Sequence, residues 1–317
     1  MSESMATRSA YGEALVELGR RNPKVAALDA DVAKSISSNK FHKAYPDRAF
    51  NLGIAEQNMF GYAAGLASAG WIVYASTYAV FASMRACEQI RTFIAYPGLD
   101  VKIGASHGGL HTGMDGVTHQ GTEDVGIMRS IPGITIVSPA DAVAAYELTL
   151  AAAAYPGPVY LRLTRNPVPN VYQNGRSFAI GRAVKLREGA DVGFVANGVM
   201  VTRALRAADE LARRGINASV LDMHTVRPLD REALLNLARE TGCLVAAEDH
   251  NINGGLGSAV CEFAAEEHPV PVQRIGLRDV FGESGDPELL LDEYGMGVAD
   301  LIAAAEAVIR RKGGMST

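Results

Sequence analysis

The feature that most constrains this chain is an alternation. From Thr7 onward, short β-rich runs change places with amphipathic helical stretches almost to the end. A strand, a helix and a second strand leave both strands running the same way, so the pattern predicts an α/β fold of mainly parallel, doubly wound sheets covered by helices. The first helix is expected over 9–21, and strands over 25–31, 48–52, 71–75, 101–105, 134–138 and 159–163. Helices are expected between them over 55–68, 79–95, 123–130 and 140–154. Ser138-Pro139-Ala140-Asp141 reads as a helix start, with Pro in the first turn and Ser or Asp as the cap. At 166–180 the alternation breaks: Pro167, Pro169, Asn170, Asn174 and Gly175 crowd together, which reads as a linker. Beyond it the pattern resumes, with strands over 191–196, 217–222, 243–248 and 270–275 and helices over 201–214, 231–240, 257–267 and 298–311. The expectation is two doubly wound domains, 1–165 and 181–317, and 317 residues are enough for two cores.

Several classes of function fall away at this stage. A net charge of −5 without any Lys/Arg block gives no footing for nucleic acid or an anionic membrane. No apolar run approaches spanning length, and the start Met1-Ser2-Glu3-Ser4 lacks the order of a signal peptide. The three cysteines, Cys87, Cys243 and Cys261, have neither C-x-x-C spacing nor even number, which speaks against a disulfide framework or zinc site and for a reducing cytoplasm.

In open α/β sheets ligands gather beyond the carboxyl ends of the strands, here the loops near Asp31, Gly53, Ser76, Ser106 and Thr164. Glu56 follows one of them, at a helix opening in Phe50-Asn51-Leu52-Gly53-Ile54-Ala55-Glu56; an acid there also serves simply as a helix cap. The loop Ser106 to Gln120 holds His107, His111, His119 and Asp115 among glycines, and a loop of that composition is more often functional than filler. Its spacing is not H-E-x-x-H or another helical metal-ligand pattern; neutral imidazoles and a carboxylate suit hydroxyl and carbonyl groups, where they hydrogen-bond and shuttle protons. Tyr78 and Phe81, three apart at an expected helix start, can line one wall and stack on a flat heterocycle, or else serve as core. Gly254-Gly255-Leu256-Gly257 lacks the G-x-G-x-x-G order of a dinucleotide fingerprint, and two readings stand for Asp249 and His250: that they fix that turn, or that they face a subunit contact.

Four strings in order carry a resemblance: Gly53-Ile54-Ala55-Glu56-Gln57-Asn58-Met59, the loop His107 to His119, Leu163-Thr164-Arg165, and Glu248-Asp249-His250-Asn251-Ile252-Asn253-Gly254-Gly255. From about Thr7 to the end the chain resembles the pyrimidine-binding and carboxyl-terminal domains of transketolases. The resemblance implies that Glu56 contacts the pyrimidine nitrogen of thiamine diphosphate from a dry pocket that raises its affinity for a proton, favouring the imino tautomer that takes the thiazolium proton. It implies that Tyr78 and Phe81 stack on the pyrimidine, with Met84 where many members carry a third aromatic. It further implies that His107, Asp115 and His119 surround the donor hydroxyls and carbonyl, and that Arg8, Ser35, His107 and Arg165 hold a sugar phosphate. For Arg8 and Arg165 alone, plain surface solvation is the other reading. Met114 stands where many relatives carry Glu before the Asp-Gly pair, a departure that bears on the choice of sugars.

The Gly-Asp-Gly and following Asn that carry metal and diphosphate in this superfamily are not found; Gly285-Asp286-Pro287 is the nearest pair. The match also starts where the second half of a one-chain transketolase starts. The expectation is therefore the carboxyl-terminal subunit of a split enzyme, with Mg²⁺ or Ca²⁺ and the diphosphate held mainly by an amino-terminal partner subunit, in a two-plus-two heterotetramer. The implied reaction moves a two-carbon ketol unit from a ketose phosphate to an aldose phosphate, in carbohydrate metabolism such as the pentose phosphate pathway. Rival readings are the beta subunit of a 2-oxoacid dehydrogenase, a 1-deoxyxylulose-5-phosphate synthase-like half, and a silent regulatory partner.

Overall fold

A computed structural model describes residues 4–314. The start read at Met1-Ser2-Glu3 and the outermost ends of the two expected domains lie outside the described residues. A seven-stranded sheet runs in the order Thr225–Arg227, Thr135–Val137, Val159–Arg162, Val101–Ser106, Ile72–Tyr78, Val25–Asp29, Ala49–Asn51. Every neighbouring pair is parallel except the first. Its central strands, such as Val25–Asp29 and Val101–Ser106, are buried along their whole length, as strands covered on both faces must be. A five-stranded sheet follows the same plan, in the order Val272–Leu277, Leu244–Asn251, Val192–Ala196, Ala218–Asp222, Val184–Arg187, with only the last pair antiparallel.

Four local expectations are corrected. Two edge strands were not foreseen, and one of them, Thr225–Arg227, leaves the second half of the chain to pair with Thr135–Val137 of the first sheet. A three-residue run carries no readable period, so only the partner strand makes it a strand. Inside the expected linker, Val168–Pro169 pairs antiparallel with Ser4–Met5. The helix expected over 140–154 begins at Ala142, and its cap is Asp141, which accepts from the Ala144 N–H at 2.7 Å; Pro139 therefore stands before the helix rather than in its first turn. Lastly, the helix expected over 79–95 contains two wide turns, Phe81–Arg85 and Ile90–Ala95. The Ala86 N–H reaches back to Phe81 O at 3.1 Å and the Tyr96 N–H to Arg91 O at 3.0 Å, one residue further than in an α-helix.

The site's placement follows from the sheet. Tyr78 and Ser106 are register partners at the carboxyl ends of adjacent strands, and Asp29, Asn51 and Ser76 share that edge. The helix Thr7–Arg21 is fastened below it by buried Tyr11, whose hydroxyl lies 2.7 Å from Ser76 Oγ. A Cβ on Gly104 would come within 2.4 Å of that Tyr11 hydroxyl, so this close approach requires glycine.

Candidate active site

Glu56 enters through a clamped turn. Asn51 Oδ1 accepts from the N–H groups of Asp31 at 3.1 Å and Gly53 at 2.9 Å, while its Nδ2 donates to Asp31 Oδ1 at 2.9 Å. Gly53 takes φ +73°, which only glycine adopts without strain, and the helix Glu56–Ser68 follows. The Glu56 carboxylate is 2% exposed, and Arg85 Nη1 donates to both of its oxygens at 2.9 Å. The Arg85 guanidinium lies over the Phe81 ring, 4.2 Å from its centroid, and its side chain is 46% exposed. Two expectations change here. Glu56 is buried but paired with a cation that the dry-pocket reading did not include, and the position given to Met84 is open, since Met84 faces solvent at 47% exposure.

Four rings continue the wall. Tyr78 ends a strand rather than opening a helix, and Phe81 starts the wide turn, yet their centroids lie 5.6 Å apart. Tyr78 stacks on His107 at 4.0 Å, and His119 meets Tyr78 at 5.3 Å and Phe81 at 5.6 Å. His119 Nδ1 is 2.9 Å from Thr118 Oγ1.

His107 has φ +65°, uncommon for a residue with a Cβ. Its carbonyl accepts from the Gly121 N–H at 3.0 Å, and its Nδ1 is 2.8 Å from Ser106 Oγ. A residue so over-determined in an unfavourable conformation marks a place where geometry matters more than strain. Burial first, then the charge of Arg8, pushes its imidazole down to about 3, so the ring is neutral at physiological pH and offers one donor and one acceptor. Its Nε2 lies 3.3 Å from Asp115 Oδ2, which also accepts from Arg165 Nε at 2.6 Å.

Arg8 stands near Arg165 and Asp115; burial, and next the charge of Arg165, lowers its pKa. Two guanidiniums around one carboxylate leave an excess of positive charge, suited to an anion. Arg8 Nη1 donates to Ser35, but to the backbone oxygen. The expected hydroxyl of Ser35 is thus not what joins it to this group; its carbonyl is.

The second sheet braces the loop. Asp249 Oδ1 accepts from the Leu110 N–H at 2.8 Å and Oδ2 from the His111 N–H at 2.9 Å. Asp249 and His250 are 3% and 1% exposed, so both are used inside the chain and not at a subunit contact. His250 Nε2 accepts from the Gly126 N–H at 3.2 Å. Glu248 accepts from the N–H groups of Leu256 and Gly257, each at 2.7 Å, and a Cβ on Gly255 would fall 2.1 Å from its Oε2. The glycines at 254–257 thus serve a capped helix start.

The structure therefore brings Glu56, Tyr78, Phe81, His119, His107, Asp115, Arg165 and Arg8 into one continuous path. Sequence reasoning missed Arg85, Asp249 as the brace of the loop, and Asn166, whose Nδ2 donates to His111 O at 2.7 Å. Asn166 directly follows a singled-out string and Arg85 stands four residues beyond Phe81, so both lay within reach of the motifs. Chemically, a buried carboxylate beside aromatic faces fits a flat ring bearing a nitrogen; the imidazoles fit hydroxyl and carbonyl groups, and the arginines fit an anion. Among the described residues no group of three or more His, Cys, Asp or Glu is arranged for a metal ion, and no helix is long and apolar enough to cross a membrane.

Two family models match the chain, one after the other. Residues 3–170 match the transketolase pyrimidine-binding domain and residues 181–301 the transketolase C-terminal domain. The chain is 43% identical over 308 residues to the 6-deoxy-6-sulfo-D-fructose transketolase subunit of a Clostridium species, covering 96% of this chain and 95% of that one. It is 43% identical over 292 residues to a putative transketolase C-terminal section of Methanocaldococcus jannaschii, covering 91% and 92%. A solved structure described as a split gene transketolase, inactive beta4 tetramer, superposes with a TM-score of 0.92 at 49% identity, covering 97% of this chain and 99% of that one.

Proposed function

Since this chain belongs to the transketolase family, as the C-terminal subunit of a split transketolase, we propose that it transfers a two-carbon ketol unit from a ketose phosphate to an aldose phosphate together with an N-terminal partner subunit. Residues 1–165 carry the ring-binding site, and the unit 181–317 braces its loop. What carries the reading is the unbroken path from a buried carboxylate, through stacked rings, to paired arginines. Each group on it suits one part of such a reaction.

Glu56 holds a proton at the pyrimidine nitrogen of thiamine diphosphate, and Tyr78 and Phe81 pack against the ring. When bound, thiamine diphosphate supplies the carbon nucleophile and the electron sink that the side chains lack. His107, neutral, donates to or accepts from the donor carbonyl and hydroxyls, and His119, also in contact with Tyr78, moves protons. Asp115 orients a hydroxyl, while Arg8 and Arg165 hold the anionic end, with Arg8 positioned by the Ser35 carbonyl. The partner subunit holds most of the diphosphate and its Mg²⁺ or Ca²⁺, in a two-plus-two heterotetramer working in the cytoplasm. The description of the 49%-identical relative as an inactive beta4 tetramer supports a partner requirement. The sulfofructose named for the Clostridium relative makes sulfonated sugars the second donor class to assay beside the phosphates.

The test is calorimetry of thiamine diphosphate with Mg²⁺, on this chain alone and then mixed with a subunit bearing the Gly-Asp-Gly pattern. Binding and ketol transfer in the mixture alone are expected. Tight binding by the lone chain, or binding without transfer from any ketose phosphate or sulfonate, would remove the reading.

A further inference from the structure

Arg85 stands where the proposed reading would put something else. Its Nη1 touches both oxygens of Glu56 at 2.9 Å, and its guanidinium plane covers Phe81 at 4.2 Å from the centroid. A flat heterocycle that both hydrogen-bonds Glu56 and stacks on Phe81 needs the same two positions, and the two cannot coexist. We infer that Arg85 is a gate: its side chain fills the carboxylate-and-aromatic corner while the corner is empty and leaves it when a cofactor ring enters. The inference rests on the reading of Glu56 and Phe81 as the ring site.

Three observations define how such a gate moves. The Arg85 side chain is 46% exposed, so it can swing into solvent without disturbing packed neighbours. Its backbone is held, because Gln57 Nε2 donates to Arg85 O at 3.1 Å and the wide turn Phe81–Arg85 is closed by the Ala86 N–H. Movement is therefore confined to the side chain. Glu56, by contrast, is 2% exposed, and leaving it without a partner would strand a buried charge. Departure of the guanidinium and arrival of a ring nitrogen, with one proton taken up from solvent to lie between that nitrogen and the carboxylate, are thereby one exchange, and the carboxylate is never left alone. The shape of the corner is kept meanwhile, since the guanidinium is planar and stacks as a ring would.

The test uses this chain assembled with its N-terminal partner subunit and follows thiamine diphosphate with Mg²⁺, by calorimetry and stopped-flow fluorescence, for the unaltered protein and Arg85→Gln. Removing a closed state that holds most of the population raises apparent affinity and association rate on the order of tenfold. Arg85→Gln is expected to show that gain with an unchanged circular dichroism spectrum. Unchanged or weaker binding overturns the gate and leaves the ring site standing, because the unaltered complex still binds. If the unaltered complex takes up no thiamine diphosphate, the ring site and the gate both fall. The Arg85 Nη1–H signal in the unaltered complex gives a second readout independent of the variant. It is expected to lose its carboxylate-paired shift at cofactor saturation, and its persistence there overturns the gate.

Discussion

Thr7 and Thr164, 157 residues apart, exchange hydrogen bonds: the Thr7 N–H donates to Thr164 Oγ1 at 3.1 Å, and the Thr164 N–H donates to Thr7 Oγ1 at 2.6 Å. This reciprocal lock sets Arg8 beside Arg165, since each arginine is the next residue along. Thr164→Val removes the acceptor for a buried N–H and should destabilise the chain by about 1–3 kcal/mol. In the assembled enzyme it should raise KM for an anionic donor several-fold while lowering kcat less. Thermal unfolding and donor saturation curves check both, and an unaltered KM would separate the lock from the anion site.

Glu56→Gln keeps the shape of the buried side chain but cannot hold and return a proton. Turnover of the assembled enzyme should fall on the order of 10²–10⁴-fold with folding and subunit association intact. Coupled assays and size-exclusion chromatography measure the two sides, and wild-type turnover would end the role given to Glu56.

Asp249→Ala orphans the N–H groups of Leu110 and His111. A loss of about 1–3 kcal/mol for each is expected, read by denaturant unfolding. Because the loop carries His107, Asp115 and His119, kcat should drop while thiamine diphosphate binding stays near its original value. Equal losses in both would place Asp249 in general stability.

Burial raises the Asp222 carboxyl from an ordinary 3.8 to about 7, with Tyr172 donating to its Oδ2 at 2.6 Å and Asp141 and Arg176 as charged neighbours. Between about pH 4 and 7 the folded chain holds a proton that the unfolded chain has lost, so this group's contribution to stability falls as pH rises, by up to about 1.4 kcal/mol per unit. Asp222→Asn should flatten that slope. Chemical unfolding at several pH values decides it, and an unchanged slope would assign the proton elsewhere.

His107 works in the opposite sense. With its imidazole pushed down to about 3, the unfolded chain takes up the proton first, so its contribution is complete above about pH 6.5 and is lost as pH falls toward 3. Ring ¹⁵N shifts should report a neutral His107 throughout pH 5–8. A protonated ring at pH 6 would contradict the burial that sets it.

Much of the candidate site was legible because strand and helix periods are local properties. The strand ends at Asn51, Tyr78 and Ser106 were read to within three residues, and Tyr78 and Ser106 stand as register partners at one sheet edge. What failed were elements too short to show a period, such as Thr225–Arg227, and the side-chain partners of Glu56, Ser35 and Asp249.

By itself the amino-acid order determined the parallel sheets, the edge at which ligands gather, and the placing of Glu56 at a helix opening behind a glycine turn, since each depends on residues within a few positions of one another. Only the tertiary structure decided that Arg85 covers Phe81 and Glu56, that Thr7 aligns two arginines, and that Asp249 reaches from the second sheet to hold the histidine loop. Those contacts join groups up to 157 residues apart, and their energy depends on burial and on distances of a few tenths of an ångström, neither of which leaves a repeat in the chain.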